Sequence, residues 1–183
     1  TQVTSQVFSG VSNLLGNRAL EEAMQGELEK LGPVPFDDAD AAFARDMQAT
    51  LTPADISTTF KRIGMKPKKG LALCDFVAPL DRQSDGGEGS TDVGDVSWAV
   101  PTVQARVATC AIGTPFHTWR TVAQGKAPAA HKGMTYAAKA MAATACRLVE
   151  IQSLIKAAQE VHGEHLDSTP YTCPIPDDVK PPV

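Results

Sequence analysis

Apolar residues recur at Leu20, Met24, Leu28 and Leu31, the spacing of a single helix face. Asn17 stands where an N-cap belongs, and Gly32-Pro33 supplies a stop signal. The pattern predicts a helix over about 18–31. Asp37 or Asp38 caps a second, with Ala41, Phe43, Ala44 and Met47 inside it. Thr52-Pro53-Ala54-Asp55 opens a third: the threonine caps, the proline fits the first helical position, and the acid meets the positive helix end. That helix ends near Gly64. Further on, Met134, Ala137, Ala138, Met141, Ala145, Leu148 and Ile155 form one stripe. It predicts a single long helix over about 131–160, with alanines that permit close approach to a sheet and Gly163 as its end.

Three other segments read as strands. Residues 1–15, TQVTSQVFSGVSNLL, are rich in Thr, Val and Ser. LALCDFVAP at 71–79 is almost continuously apolar between Gly70 and Pro79, the signature of a buried strand. TVQARVATCAIG at 102–113 alternates Val103, Ala105 and Val107 with Gln104 and Arg106, which suits a half-covered strand. The order of elements predicts an α/β domain, a mixed sheet flanked by helices. The tail 168–183 carries five prolines, too many for a helix or central strand, and predicts an extended strap.

Composition narrows the class. The chain has 183 residues, 43% of them apolar, enough for one domain, or one domain and a fragment of another. The net charge of −4 comes without a basic stripe, which argues against nucleic acid as a partner. No apolar run approaches the roughly 20 residues of a membrane helix, and no signal-peptide pattern opens the chain. Cys74, Cys110, Cys146 and Cys173 contain no C-x-x-C pair, so a zinc ribbon is excluded on spacing. Three of them sit in apolar segments, where buried free thiols are common, and this reads as a reducing, cytoplasmic setting. The chain opens Thr1-Gln2-Val3, which reads as a processed or truncated product.

Candidate chemistry is sparse. His117, in GTPFHTW, lies just past a predicted strand end, where ligand sites form in open α/β sheets. It reads either as a hydrogen-bonded loop histidine or as a metal ligand. His131 opens the long helix, against an unfavourable dipole for a cation, and reads as a neutral hydrogen-bonding group. His162 and His165, in VHGEHLD, do not form H-E-x-x-H and read as a solvated helix end. The stretch DGGEGSTDVGDVSW, 85–98, has acids without the calcium-loop spacing and glycines without a phosphate-binding lysine. It is left as a loop whose backbone N–H groups approach an anionic substrate. Trp98 reads as packing that loop down.

Several stretches together carry a resemblance: GSTDVGDVSWAVPT, ATCAIGTPFHTW, VAQGKAPAAHKGMTYAAKAMA and YTCPIPDDVKPP. They resemble the C-terminal part of the zinc-dependent amidohydrolase/peptidase family of aminoacylases and carboxypeptidase G, in its aminobenzoyl-glutamate-utilizing branch. GVSNLLGNRALEEAMQGELEKLG, at 10–32, is similar to the return from that family's inserted lid domain.

The resemblance implies a domain order: the lid's last strand at 1–15, the C-terminal part of a catalytic α/β domain at 16–165, and the Pro-rich tail at 166–183. It implies a cytoplasmic, homo-oligomeric hydrolase that cleaves the amide bond of aminobenzoyl-glutamate or a related N-acyl amino acid or dipeptide. The cofactor would be a divalent metal, zinc or manganese. His117 occupies the place of the family's C-terminal metal ligand, and Gly89, Ser90, Thr91 and Asp92 match its substrate-side loop. The family's remaining ligands and its general base come from an N-terminal half. H-x-D occurs only as His165-Leu166-Asp167, in the stretch read as a solvated helix end, and no suitable Glu-Glu pair exists here. The implied partner is the N-terminal part of the same enzyme, without which this chain is expected to be inactive. The alternative class is a non-catalytic module that binds a peptide or a partner protein.

Overall fold

The computed structural model describes residues 1–80 and 91–180. Among them the elements are α1 (Arg18–Leu31), α2 (Asp38–Gln48), α3 (Pro53–Arg62), α4 (Val93–Ala99), α5 (Trp119–Gln124), α6 (Pro128–Glu150) and α7 (Gln152–Ser168). The described residues fall into two compact units. The first holds 1–21, 91–103 and 151–180, and the second 22–80 and 104–150.

The first three helices start where their caps dictate. Asn17 Oδ1 accepts from Leu20 N–H at 3.2 Å, and Gly32, at φ 72°, takes the left-handed turn that ends α1. Asp37 and Asp40 form a reciprocal capping box on α2, and Thr52 and Asp55 form another on α3 behind Pro53.

The α/β expectation is overturned: among the described residues the chain is all helical and has no strand. A strand exists only as half of a ladder, so an apolar run without a paired neighbour is not one. The 71–79 and 102–113 segments do meet through their backbones, where Ile112 N–H donates to the Ala72 carbonyl at 2.8 Å. Side-chain amides take up other backbone groups. Gln48 Nε2 donates to the carbonyls of Leu71 and Ile112 at 3.2 and 3.0 Å, and Gln25 Nε2 donates to that of Ala78 at 3.1 Å. Residues 1–15 likewise give backbone donors to side chains: Ser12 N–H to Asp95, and Leu15 N–H to Ser97 Oγ. Val3, Val7 and Phe8 remain exposed.

The predicted long helix also differs. It begins at Pro128 and breaks at Ile151 (φ −118°, ψ 80°), so two helices stand in place of one. Gly163 does not end α7, which continues to Ser168. The face of α6 that is buried carries Ala129, Gly133, Tyr136, Ala140 and Thr144, not the methionine stripe. Gly133 decides this. A Cβ there would lie 2.2 Å from the Ala108 carbonyl oxygen, so the helix backbone sits directly against that segment. The Tyr136 hydroxyl donates toward the carbonyls of Leu28 and Gly32 at the C-terminal end of α1.

The core of the second unit is small: Ala44, Met47, Ala72, Leu73, Ala111 and Ala129, with Phe36 packed against it. Phe60 is fully buried in the same unit. The first unit buries Leu20 and Ala158 beside the polar Asn17, Ser97 and His162. Asn17 and Ser97 are fully enclosed, and Asn17 Nδ2 donates to the Ala158 carbonyl at 2.8 Å, as burial of an amide requires. All four cysteines are free. Cys74 and Cys110 are half-buried, with thiol pKa values pushed up by burial. Cys146, in an apolar segment, is nonetheless exposed.

Candidate functional site

Of the predicted substrate-side loop, Gly89 and Ser90 lie outside the described residues. Thr91 and Asp92 lead into α4 in the first unit. The Thr91 carbonyl accepts from Gly94 N–H at 2.8 Å, and its Oγ1 accepts from Val93 N–H at 3.4 Å. Asp92 is exposed and makes no side-chain cap bond.

The other acid of this helix has a structural task. Asp95 accepts from Ser12 Oγ at 2.8 Å, from Ser12 N–H at 3.2 Å and from the Tyr171 hydroxyl at 2.8 Å. Trp98 donates its indole N–H to the Asn13 carbonyl at 2.9 Å and stacks on Tyr171, with ring centroids 6.2 Å apart. The sequence reading of Trp98 as a packing residue agrees with this. Asp95 and Trp98 thus hold the N-terminal segment and the proline-rich tail to α4. Tyr171 has no signal of its own in the sequence, where a lone tyrosine in a tail does not announce its partner.

These bonds make the anchorage dependent on pH. The Tyr171 hydroxyl, and then Ser12, hold the Asp95 carboxyl below its ordinary 3.8. The same bond to Asp95 pushes Tyr171 up to about 12 from 10.0. The lowered acid contributes stability that is present above 3.8 and lost as pH falls below it. The raised phenol contributes stability that is present below 10.0 and lost as pH rises through about 12. In a Trp119→Phe background, Trp98 fluorescence is expected to change in both windows. Tyr171→Phe should abolish the alkaline change and shrink the acid one. An alkaline transition unaltered by that substitution would show that Tyr171 is not the group.

His117 belongs to the second unit, on the turn between Ile112 and α5. Gln124, buried on α5, braces this turn. Its Oε1 accepts from Ala111 N–H at 2.8 Å, and its Nε2 donates to Thr114 Oγ1 and to the Arg120 carbonyl at 3.0 Å each. The hydroxyls of Thr118 and Thr121 both donate to the Pro115 carbonyl, at 2.8 and 3.0 Å. Gly113, at φ 97°, brings the backbone against Ile56, where a Cβ would lie 2.9 Å from Cγ1. His117 itself sits at φ 61°, the one positive-φ residue other than glycine among those described. That conformation costs an L-residue roughly 1–2 kcal/mol, and such strain collects where a side chain is held for use. The imidazole is exposed. Sequence spacing points to His117 but not to Gln124, because a buried glutamine on a six-residue helix has no pattern of its own.

Among the described residues no group of three or more His, Cys, Asp or Glu side chains could hold a metal. Zinc sites take about three or four protein ligands, so a lone imidazole does not fit a self-contained centre. His117 fits at most one position of such a set.

Compared with proteins of known name, the chain is 39% identical over 191 aligned positions to a p-aminobenzoyl-glutamate hydrolase subunit of Escherichia coli (strain K12). The alignment takes in 99% of this chain. That identity supports the family resemblance carried by the sequence stretches. The chain spans 40% of the relative's length. No family model matches it, and no solved structure does either.

The other histidines separate clearly. His131 is exposed on α6. His162, expected at a solvated end, is instead buried, its Nε2 3.1 Å from the Ser97 carbonyl. It serves as a hydrogen-bonding core group where α7 meets α4. His165 is exposed one turn further on. No helix among the described residues is long and apolar enough to cross a membrane.

Proposed function

We propose that this chain is the C-terminal portion of a cytoplasmic, homo-oligomeric, metal-dependent amidohydrolase. It would act on the amide bond of aminobenzoyl-glutamate or a related N-acyl amino acid or dipeptide. The observation that carries the reading is the 39% identity that extends over 99% of the chain. In this reading His117 contributes one ligand to a zinc or manganese ion, which would polarise the amide carbonyl. The left-handed backbone and the Gln124 brace support that role. Thr91 and Asp92, with Gly89 and Ser90, would contribute to the substrate side. The remaining ligands and the general base belong to the N-terminal part of the enzyme, and the chain by itself is inactive.

The test is release of aminobenzoate from aminobenzoyl-glutamate, with zinc or manganese present. The 183 residues alone are expected to give no turnover. The same chain joined to the part of the E. coli relative outside the matched stretch is expected to hydrolyse the substrate. Robust turnover by the chain alone overturns the missing catalytic half. A folded, metal-loaded joined enzyme that is inert on every acyl-amino acid overturns the hydrolase.

A further inference from the structure

Met134, Ala138, Met141 and Ala145 follow one another along α6 at spacings of four, three and four residues. That spacing sets them in one row about 17 Å long. All four are exposed, Met134 by 63% and Met141 by 56%. The face that its own unit covers is a different one, that of Gly133, Tyr136 and Ala140. The row contains no charged residue. Alanines keep the helix backbone near whatever lies against it, and unbranched thioethers adapt to an irregular surface. Contiguous apolar rows of this kind mark a contact face. A charge-free row suits a permanent interface better than a transient one.

We propose that this row is an interface for the polypeptide that the E. coli relative carries outside the matched stretch, an apolar face of the same enzyme. More than half of that relative lies outside the stretch, which is 40% of its length. The described residues of this chain leave the row bare. The inference rests on the reading of the chain as part of a longer hydrolase, and it names the surface through which the two parts meet.

Methionine oxidation by hydrogen peroxide, mapped peptide by peptide, tests it without altering the protein. Met134 and Met141 are expected to oxidise at least ten-fold more slowly in the joined polypeptide than in the 183-residue chain. Half-buried Met65 of the second unit serves as the reference and should keep its rate. Equal rates for Met134 and Met141 in the two contexts overturn the proposal. So does protection in the isolated chain that grows with its concentration, since the occupant is then a second copy. In the joined polypeptide, Met134→Lys with Met141→Lys should loosen the interface, seen as at least ten-fold faster proteolysis. Met141→Gln gives the milder form of the same loss if the double variant misfolds, and resistance equal to the parent's in that variant also overturns the proposal. Protection without hydrolysis removes the hydrolase reading and keeps the interface, whereas hydrolysis with both methionines open removes the interface alone.

Discussion

Gly94→Ala is expected to destabilise the first unit by more than about 3 kcal/mol. Gly94 is buried on α4, and a Cβ there would lie 1.9 Å from the Ser12 carbonyl oxygen and 2.8 Å from its carbon. Both are backbone atoms, so no rotamer change makes room. The N-terminal segment would have to leave α4. With it would go the bonds from Ser12 to Asp95, from Leu15 to Ser97 and from Trp98 to Asn13. Set against a typical total of roughly 5–15 kcal/mol, this is a large loss. Gly163→Ala is the matched control. It lies within α7 with nothing within 4 Å of the added Cβ, and the change should stabilise by about 0.5–1 kcal/mol. Urea unfolding followed by Trp98 fluorescence measures both. If Gly94→Ala unfolds at the parent's midpoint, the close approach of Ser12 to α4 is wrong.

His117→Ala, in the joined enzyme, is expected to lower amide hydrolysis by more than about 100-fold, since loss of groups merely supporting a metal ligand already costs 10–100-fold. Bound metal should fall in step. His117→Gly separates this from folding. It removes the same imidazole but relieves the φ of 61°, so stability should be unchanged or rise by up to about 1 kcal/mol. Activity lost together with preserved stability identifies a working side chain. His165→Ala, on an exposed turn of α7, should alter neither property. Full metal content in both His117 variants would remove the ligand assignment.

What could be read from the sequence was local. The caps at Asn17, Asp37 and Thr52 act over three residues, and the helices start beside them. The strands failed because a strand needs a partner, and apolar character alone does not supply one. LALCDFVAP looks the same whether it pairs or not. The α6 stripe failed for a different reason. Methionine and leucine announce a hydrophobic face, but glycine and alanine decide which face comes closest. Gly133 and Ala140 carry little hydrophobic weight, yet they are the side the unit covers. α4 was hidden by its glycine, which reads as a loop and here permits contact with Ser12.

The candidate residues divide along the same line. His117 was legible from its place after an apolar run, while its left-handed backbone and its brace by Gln124 were not. Asp95 and Trp98 came to notice as members of an acidic, glycine-rich stretch. Their tasks depend on Ser12, Asn13 and Tyr171, each more than 70 residues away. No local window connects those positions.

Asp95 binds both Ser12 and Tyr171, and this makes the Ser12 segment and the proline-rich tail a single cooperative element. Withdrawal of the tail removes the Tyr171 hydroxyl and the ring against Trp98, which leaves the Ser12 segment with fewer restraints. Local opening then has no reason to proceed one segment at a time. The two segments should open together, as one low-stability element that leaves α4 before the helix itself unfolds.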